Sequence, residues 1–344
     1  LTIFNAAWEP IPYDFTQSFK QRVVTMQVPS RLENLPISFF AMVMGLAGLA
    51  ISWEKAQASL ALPLQLHQAL TQFTALVFVL LLGLYLLKLV RFRAAVQREL
   101  HHPIMLNFFP TVSISLILLA VATLHLAPAL SHLLWINGTA LHLALTLYVM
   151  NIWIHHGKFE IHHMNPAWFI PIVGNVLVPI AGVKLGYTEI SWFSFSIGML
   201  FWLVLLTIIF NRVLFHNPLP EKLMPTFFIL IAPPAVGFIA YYNLTGQLDP
   251  FARVLYYGGL FLTLLMLTQI ARFARLRFFL SWWAYSFPLA AITLATLLMY
   301  EINANRFFYG LGLTLLALLT LVVIFLLYRT LQAVAAKKIC QPEG

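Results

Sequence analysis

Leu, Ile, Val and Phe run through this chain in long stretches that are apolar on every helical face, where a water-facing helix would carry a polar side. The stretches fall near 36–53, 68–90, 104–127, 130–154, 166–183, 190–214, 223–243, 251–273, 278–300 and 307–329. Most contain the roughly 20 residues that take a helix across a bilayer. The pattern therefore predicts an all-α membrane protein of ten transmembrane helices, the first and fifth being the shortest. It divides the chain into an N-terminal cytoplasmic or interfacial segment (1–35), a ten-helix transmembrane domain (36–330) and a short cytoplasmic tail (331–344).

Of the 344 residues, 61% are hydrophobic and 9% charged, against about 25% charged in soluble domains, so lipid is the solvent of the outer faces. The formal charge of +9 is spread in short clusters between apolar runs, which reads as a topology signal and excludes nucleic acid as the expected partner. Sixteen of the 20 Lys and Arg lie before the first span, after even-numbered spans or in the tail; only Lys55, Lys184, Arg253 and Arg306 lie on the other side. Cytoplasmic loops carry the excess of basic residues. Both termini are thus expected in the cytoplasm and the protein in a plasma membrane, the inner membrane of a bacterium. The first 35 residues hold Trp8, Pro10, Pro12, Tyr13 and Phe15 but no continuous apolar core with a cleavage site. No signal peptide is read there, and the part before Phe19 is expected either along the interface or without fixed structure. Cys340 is the sole cysteine, so no intrachain disulfide is expected.

A weak repeat marks the cytoplasmic start of the odd spans. It reads Pro36-Ile37-Ser38-Phe39-Phe40, then Pro103 to Phe108-Phe109-Pro110, then Pro166 to Phe169-Ile170-Pro171, then Pro225-Thr226-Phe227-Phe228. The prolines are spaced by 67, 63 and 59 residues, about one helical hairpin each, with Phe287-Pro288 as a degenerate fifth copy. Pro110, Pro171, Pro179, Pro233, Pro234 and Pro288 all fall in or near odd spans. Proline kinks a helix and frees a carbonyl, which a membrane tolerates where protein or a water-lined cavity satisfies it. Five kinked helices are therefore expected around a central pore with five straighter ones outside, set against the plainer reading that proline is simply common in membrane helices.

The chemistry is defined by what is missing. No Asp, Glu, Lys or Arg falls in the central part of any span, which argues against cation transport and, less strongly, against proton coupling within the pore. Helix dipoles, hydroxyls and a positive field suffice for an anion. The pairs His101-His102, His155-His156 and His162-His163 suit interfacial histidines near helix ends better than a metal site, because adjacent residues on a helix point to different sides and no acid completes a ligand pattern. Haem ligation through His125, His132 or His142 lacks a facing partner pair. No nucleotide-binding loop is present, and no cofactor is expected. Gly45-Leu46-Ala47-Gly48 reads as close helix packing. Asn175, the one amide well inside an odd span, either touches permeant ions or bonds a neighbouring helix.

His102-Pro103 before Asn107-Phe108-Phe109-Pro110, Asn165-Pro166 with Pro171 and Asn175, Ala232-Pro233, and Trp283-Ala284-Tyr285-Ser286-Phe287 occur in this order at one-hairpin spacing. On these residues the chain, over about 36–330, resembles the tellurite-resistance/dicarboxylate transporter family, which includes bacterial TehA and the slow-type anion channels of plant guard cells. The resemblance implies five hairpins around a pore lined by odd helices, usually as a homotrimer with one pore per subunit. It implies that Phe287 plugs that pore near mid-membrane. Phe40, Gly45, Phe108, Pro110, Pro171, Asn175, Pro233, Ser286 and Pro288 are the accompanying candidates for pore lining or helix kinks. Two departures stand out: the long phosphorylatable tails of the plant members are missing, and Val43 stands where a bacterial relative has proline. The expected function is an anion channel or channel-like transporter. A secondary transporter for C4-dicarboxylates, sulfite or tellurium oxyanions is the alternative, and a membrane-embedded metal or haem enzyme a third class.

Overall fold

The computed structural model describes residues 30–155, 157 and 159–341, and it is helical throughout with no strand among them. The stretch before Phe19 and His156 lie outside the described residues. Nine of the described helices are long and apolar enough to cross a membrane: α1 (Ile37–Leu60), α2 (His67–Arg91), α3 (Met105–Thr123), α4 (Pro128–His155), α6 (Thr188–Phe215), α7 (Met224–Thr245), α8 (Pro250–Leu267), α9 (Leu280–Asn303) and α10 (Arg306–Ala335). Between α4 and α6 runs the shorter apolar α5 (Pro166–Gly182).

Proline accounts for the difference between odd and even helices. Each odd helix opens with a tight 3-10 turn: Ile37–Phe39, Met105–Phe108, Pro166–Trp168, Met224–Ile231 and Leu280–Tyr285. The first four coincide with the proline and aromatic repeat, and the fifth ends just before its degenerate copy Phe287-Pro288. α5 changes between α and 3-10 winding at Gly174–Leu177, between Pro171 and Pro179, each of which lacks the amide that would continue the ladder. The even helices run regularly, α8 starting from the Asp249 cap on the Ala252 amide (2.9 Å) and α10 from the Asn305 cap on Phe307 (2.8 Å).

Burial sorts the helices into two layers. In the most apolar window of α1, α3, α7 and α9, 72, 78, 67 and 78% of residues are buried, against 28 to 39% in the even helices. The odd helices pack one on the next in the order α1, α3, α5, α7, α9, and α9 closes back on α1. Each even helix leans on its odd hairpin partner and turns Leu, Val, Ile and Phe outward, Leu203, Phe261 and Leu321 among them. Such a ring of exposed apolar side chains has no place in water and suits the hydrocarbon of a bilayer.

Close approaches hold the inner ring together. A Cβ on Gly48 would stand 2.7 Å from the Ala290 Cβ, and one on Gly45 would collide with the Ser286 side chain, so the backbone of α1 packs directly against the small side chains of α9. At the end where the odd helices begin, the buried Lys88 ammonium donates to the Leu35 carbonyl (2.8 Å) and pairs with Glu99 (2.7 Å), which also accepts from the Tyr85 hydroxyl (2.7 Å). This cluster ties the start of α1 to the end of α2 and to the short polar helix Arg93–His101.

Candidate functional site

Two cavities lie on the axis of the inner ring, one above the other. The narrower, about 70 Å³, is lined by Ala41 and Met44 of α1, Phe108, Thr111 and Ile114 of α3, Phe169 to Leu177 positions of α5, Ile229 to Val236 positions of α7, and Trp283, Ala284, Phe287 and Pro288 of α9. The wider, about 340 Å³, takes its lining from the far halves of the same helices and the turns that follow them, from Gly48 to Ala58, Leu118 to His125, Leu177 to Lys184, Val236 to Asn243 and Phe287 to Glu301. Every lining residue belongs to an odd helix or the turn after it.

The lining positions repeat at helical spacing. On α1 they are 41, 44, 48, 51, 54, 55 and 58, and along α3 and just beyond it 108, 111, 114, 118, 121, 124 and 125. Steps of three and four residues keep one stripe of each helix on the axis. Three side chains line both cavities: Leu177, Val236 and Phe287. They lie where the two cavities meet, and Phe287 is the largest of them.

The two cavities differ in electrostatics. The narrow one has no charged lining residue, and its one hydroxyl, Thr111, is committed to the Phe108 carbonyl at 2.5 Å. The wide one carries Glu54, Lys55, His125, Lys184, Glu301 and Asn243. Lys55 pairs with Glu301, and His125 Nδ1 lies 2.7 Å from Glu54. On the opposite face, where the odd helices begin, an open groove of about 1240 Å³ is bordered by Lys88, Arg98, Lys222, Arg277, Arg329 and Lys338, with Glu33 and Glu99.

Four of the residues singled out in the sequence line a cavity: Phe108, Pro233, Phe287 and Pro288. The others sit behind the lining. Phe40 is buried edge-on against Phe78 and Tyr85 of α2, at ring separations of 6.0 and 6.2 Å. Gly45 admits the Ser286 side chain, whose hydroxyl donates to the Trp283 carbonyl (2.6 Å). The Pro110 carbonyl accepts from the Ser113 hydroxyl (2.8 Å), and the Pro171 carbonyl from Thr146 (2.6 Å). Asn175 donates to Thr146 on α4 (3.0 Å) and to the Ile172 carbonyl (2.8 Å), so it bonds helix to helix and does not line either cavity.

Leu177 and Val236 were not singled out from the sequence. Each stands one helical turn beyond a residue that also lines the narrow cavity, Gly174 or Pro233, and that spacing is the only signal they carry. Histidines serve local structure: His102 Nδ1 accepts the amides of Ile104 and Met105 (3.1 and 3.2 Å), and His163 Nδ1 accepts that of Glu160 (3.1 Å). Partial burial and the neighbouring His162 hold His163 below the usual imidazole range. Among the described residues, no three His, Cys, Asp or Glu side chains converge as metal ligands.

An inner ring of broken helices around stacked axial cavities, wrapped by straight lipid-facing helices, defines an integral membrane protein of the channel and transporter class. Residues 34–331 match the family described as voltage-dependent anion channel, and the chain belongs to that family. It is 32% identical over 307 residues to the S-type anion channel SLAH3 of Arabidopsis thaliana, covering 87% of this chain and 48% of that one. It is 28% identical over 314 residues to the guard cell S-type anion channel SLAC1 of the same plant, covering 87 and 56%. A tellurite resistance protein TehA homolog of Haemophilus influenzae is 26% identical over 296 residues, covering 84 and 88%. The chain therefore spans about half the length of these two plant relatives and most of the length of the bacterial one.

Proposed function

We propose that this protein passes small anions through a pore lined by its odd helices, with Phe287 as the gate. The single observation that carries the reading is the pair of axial cavities lined by odd helices and the turns that follow them, meeting at Phe287. Counting the broken α5 as a span gives ten. The division into 1–35, 36–330 and 331–344 then corresponds to a leading segment, the pore and a tail. An apolar constriction of a few ångströms blocks ions by excluding water as much as by occupying space. The narrow cavity holds about two waters at roughly 30 Å³ each, too few to hydrate an ion. Membership in a family described as voltage-dependent anion channel supports the anion as cargo, as do the excess of basic residues around the groove on one face and the uncharged narrow cavity.

Both ends of the chain face the cytoplasm in this reading, in a bacterial inner membrane, and three copies assemble with one pore each. A reporter active only in the cytoplasm, fused after Gly344, is expected to work there; activity of a periplasm-only reporter overturns the orientation. Mass measurement of the purified protein in detergent is expected to give three chains. Proteoliposomes holding the protein, with potassium permeability supplied, are expected to take up nitrate or chloride passively. Uptake that occurs only under an imposed proton gradient favours a coupled carrier, and no uptake of any small anion by the Phe287→Ala variant refutes the reading.

A further inference from the structure

The wider cavity contains a charge that none of its neighbours neutralises. Its charged lining comes from four directions: Glu54 and Lys55 at the end of α1, His125 after α3, Lys184 after α5 and Glu301 near the end of α9. Lys55 pairs with Glu301, and Glu54 is hydrogen-bonded to the His125 ring. Lys184 makes no ion pair among the described residues. Its place follows from the chain path. The cavity-facing stripe of α5 runs 170, 173, 177 and 180, and the next member of that series is 184, in the turn that closes at Gly186 with φ +87°. The Asn243 amide donates to the Ile180 carbonyl (3.3 Å), which fixes this end of α5 against α7. The lysine therefore stands over a space of about 340 Å³ whose floor is Phe287, room for on the order of ten waters.

We propose that this cavity is an anion-collecting vestibule and that Lys184 is its selectivity residue, drawing a small inorganic anion, still partly hydrated, to the far side of the Phe287 septum. The proposal rests on anion passage as the function and names the residue that favours anions on this side. Lys55 and Glu301 cancel one another and Glu54 is held by the His125 imidazole, so the potential is most positive beside the unpaired Lys184 ammonium, and low-dielectric walls concentrate such a field in a cleft. A unit charge about 6 Å away in a water-like medium changes the local concentration of a monovalent ion about threefold.

Thiol chemistry reads this field without any ion current. Cys340, the only cysteine, is replaced by Ser, and Ile180→Cys places one thiol in the vestibule a helical turn from Lys184, about 6 Å away. The rates of reaction with an anionic and a cationic methanethiosulfonate are then compared with Lys184 intact, Lys184→Gln and Lys184→Glu. At about 0.01 M salt, Lys184→Gln is expected to lower the ratio of anionic to cationic rates about tenfold, and Lys184→Glu about a hundredfold; at about 1 M salt both effects collapse. A thiol at Leu124→Cys, in the same cavity, is expected to respond in the same direction and serves if the Ile180 variant does not fold. Equal ratios with and without the lysine at low salt overturn the proposal, as does a thiol that neither reagent reaches. Because no conduction is required, failure here is distinct from a failure to pass anions.

Discussion

With Phe287 as the proposed gate, removing its ring is expected to join the two cavities. With the ring in place the lumen narrows to about 70 Å³ lined by uncharged side chains, so an ion reaching it must shed most of its hydration shell. Without the ring that space opens into the cavity of about 340 Å³, and an ion keeps waters on both sides as it crosses. Lowering the barrier by only about 1.4 kcal/mol multiplies the rate tenfold, and restoring part of a hydration shell exceeds that. Phe287→Ala is therefore expected to raise basal anion current at least about tenfold at equal surface expression. The cost to the fold is modest, because the ring already borders empty space on two sides: about 1 to 2 kcal/mol, below the range for a fully packed phenylalanine. Leu177→Ala and Val236→Ala, which trim the same septum, are expected to raise current less. Phe325→Ala is the control, since Phe325 is exposed on the outer α10 and contacts Trp282 and Arg329 away from the cavities. Voltage clamp of matched variants decides: a normally folded Phe287→Ala with unchanged current, or an equal rise in Phe325→Ala, refutes the septum as the gate.

Lys88→Met is expected to destabilise the protein by about 3 kcal/mol or more, because Glu99 loses its buried cation, and adding Glu99→Leu is expected to recover much of the loss; a thermal-unfolding cycle showing simple additivity contradicts this coupling. Gly45→Ala drives a methyl into Ser286 and is expected to cost about 1 to 3 kcal/mol, seen as a lower melting midpoint, while the same change at Gly83, which faces open space, has no such cost. Asp249 is held below the ordinary carboxylate range by the Ala252 amide and then by the Tyr241 hydroxyl. Its contribution to stability is thus present above the unfolded carboxylate pKa and lost as pH falls through the folded one. Asp249→Ala is expected to melt below wild type at neutral pH, with the difference closing on acidification below about pH 4.

Much of the fold was legible because the bilayer imposes a simple rule. Uninterrupted apolar length marked the helices, and the kink-forming prolines marked which ones lie inside. Four of the five 3-10 openings coincide with the proline and aromatic repeat that begins at Pro36, Pro103, Pro166 and Pro225, and the fifth leads directly into Phe287-Pro288. The lining was legible only in part. A soluble helix shows its inner face by contrast with a polar outer one, but here lipid and the narrow cavity are both apolar, so the α7 stripe through Ile229, Ala232 and Val236 looks no different from its lipid-facing residues. Phe287 and Pro288 stood out through their motif, whereas Leu177 and Val236 carried none. Asn175 was open to two readings because one amide inside a span serves a lumen or a neighbouring helix equally well. Its hydrogen bonds to Thr146 and Ile172 decide for the helix.

The central claim is that anions cross this protein through its odd-helix ring, and the most direct measurement is the reversal potential of purified protein in a bilayer under asymmetric salt. The account predicts a reversal close to the equilibrium potential of the anion, unchanged when a pH gradient is imposed and retained in Phe287→Ala with larger current. A reversal near the equilibrium potential of the cation contradicts it.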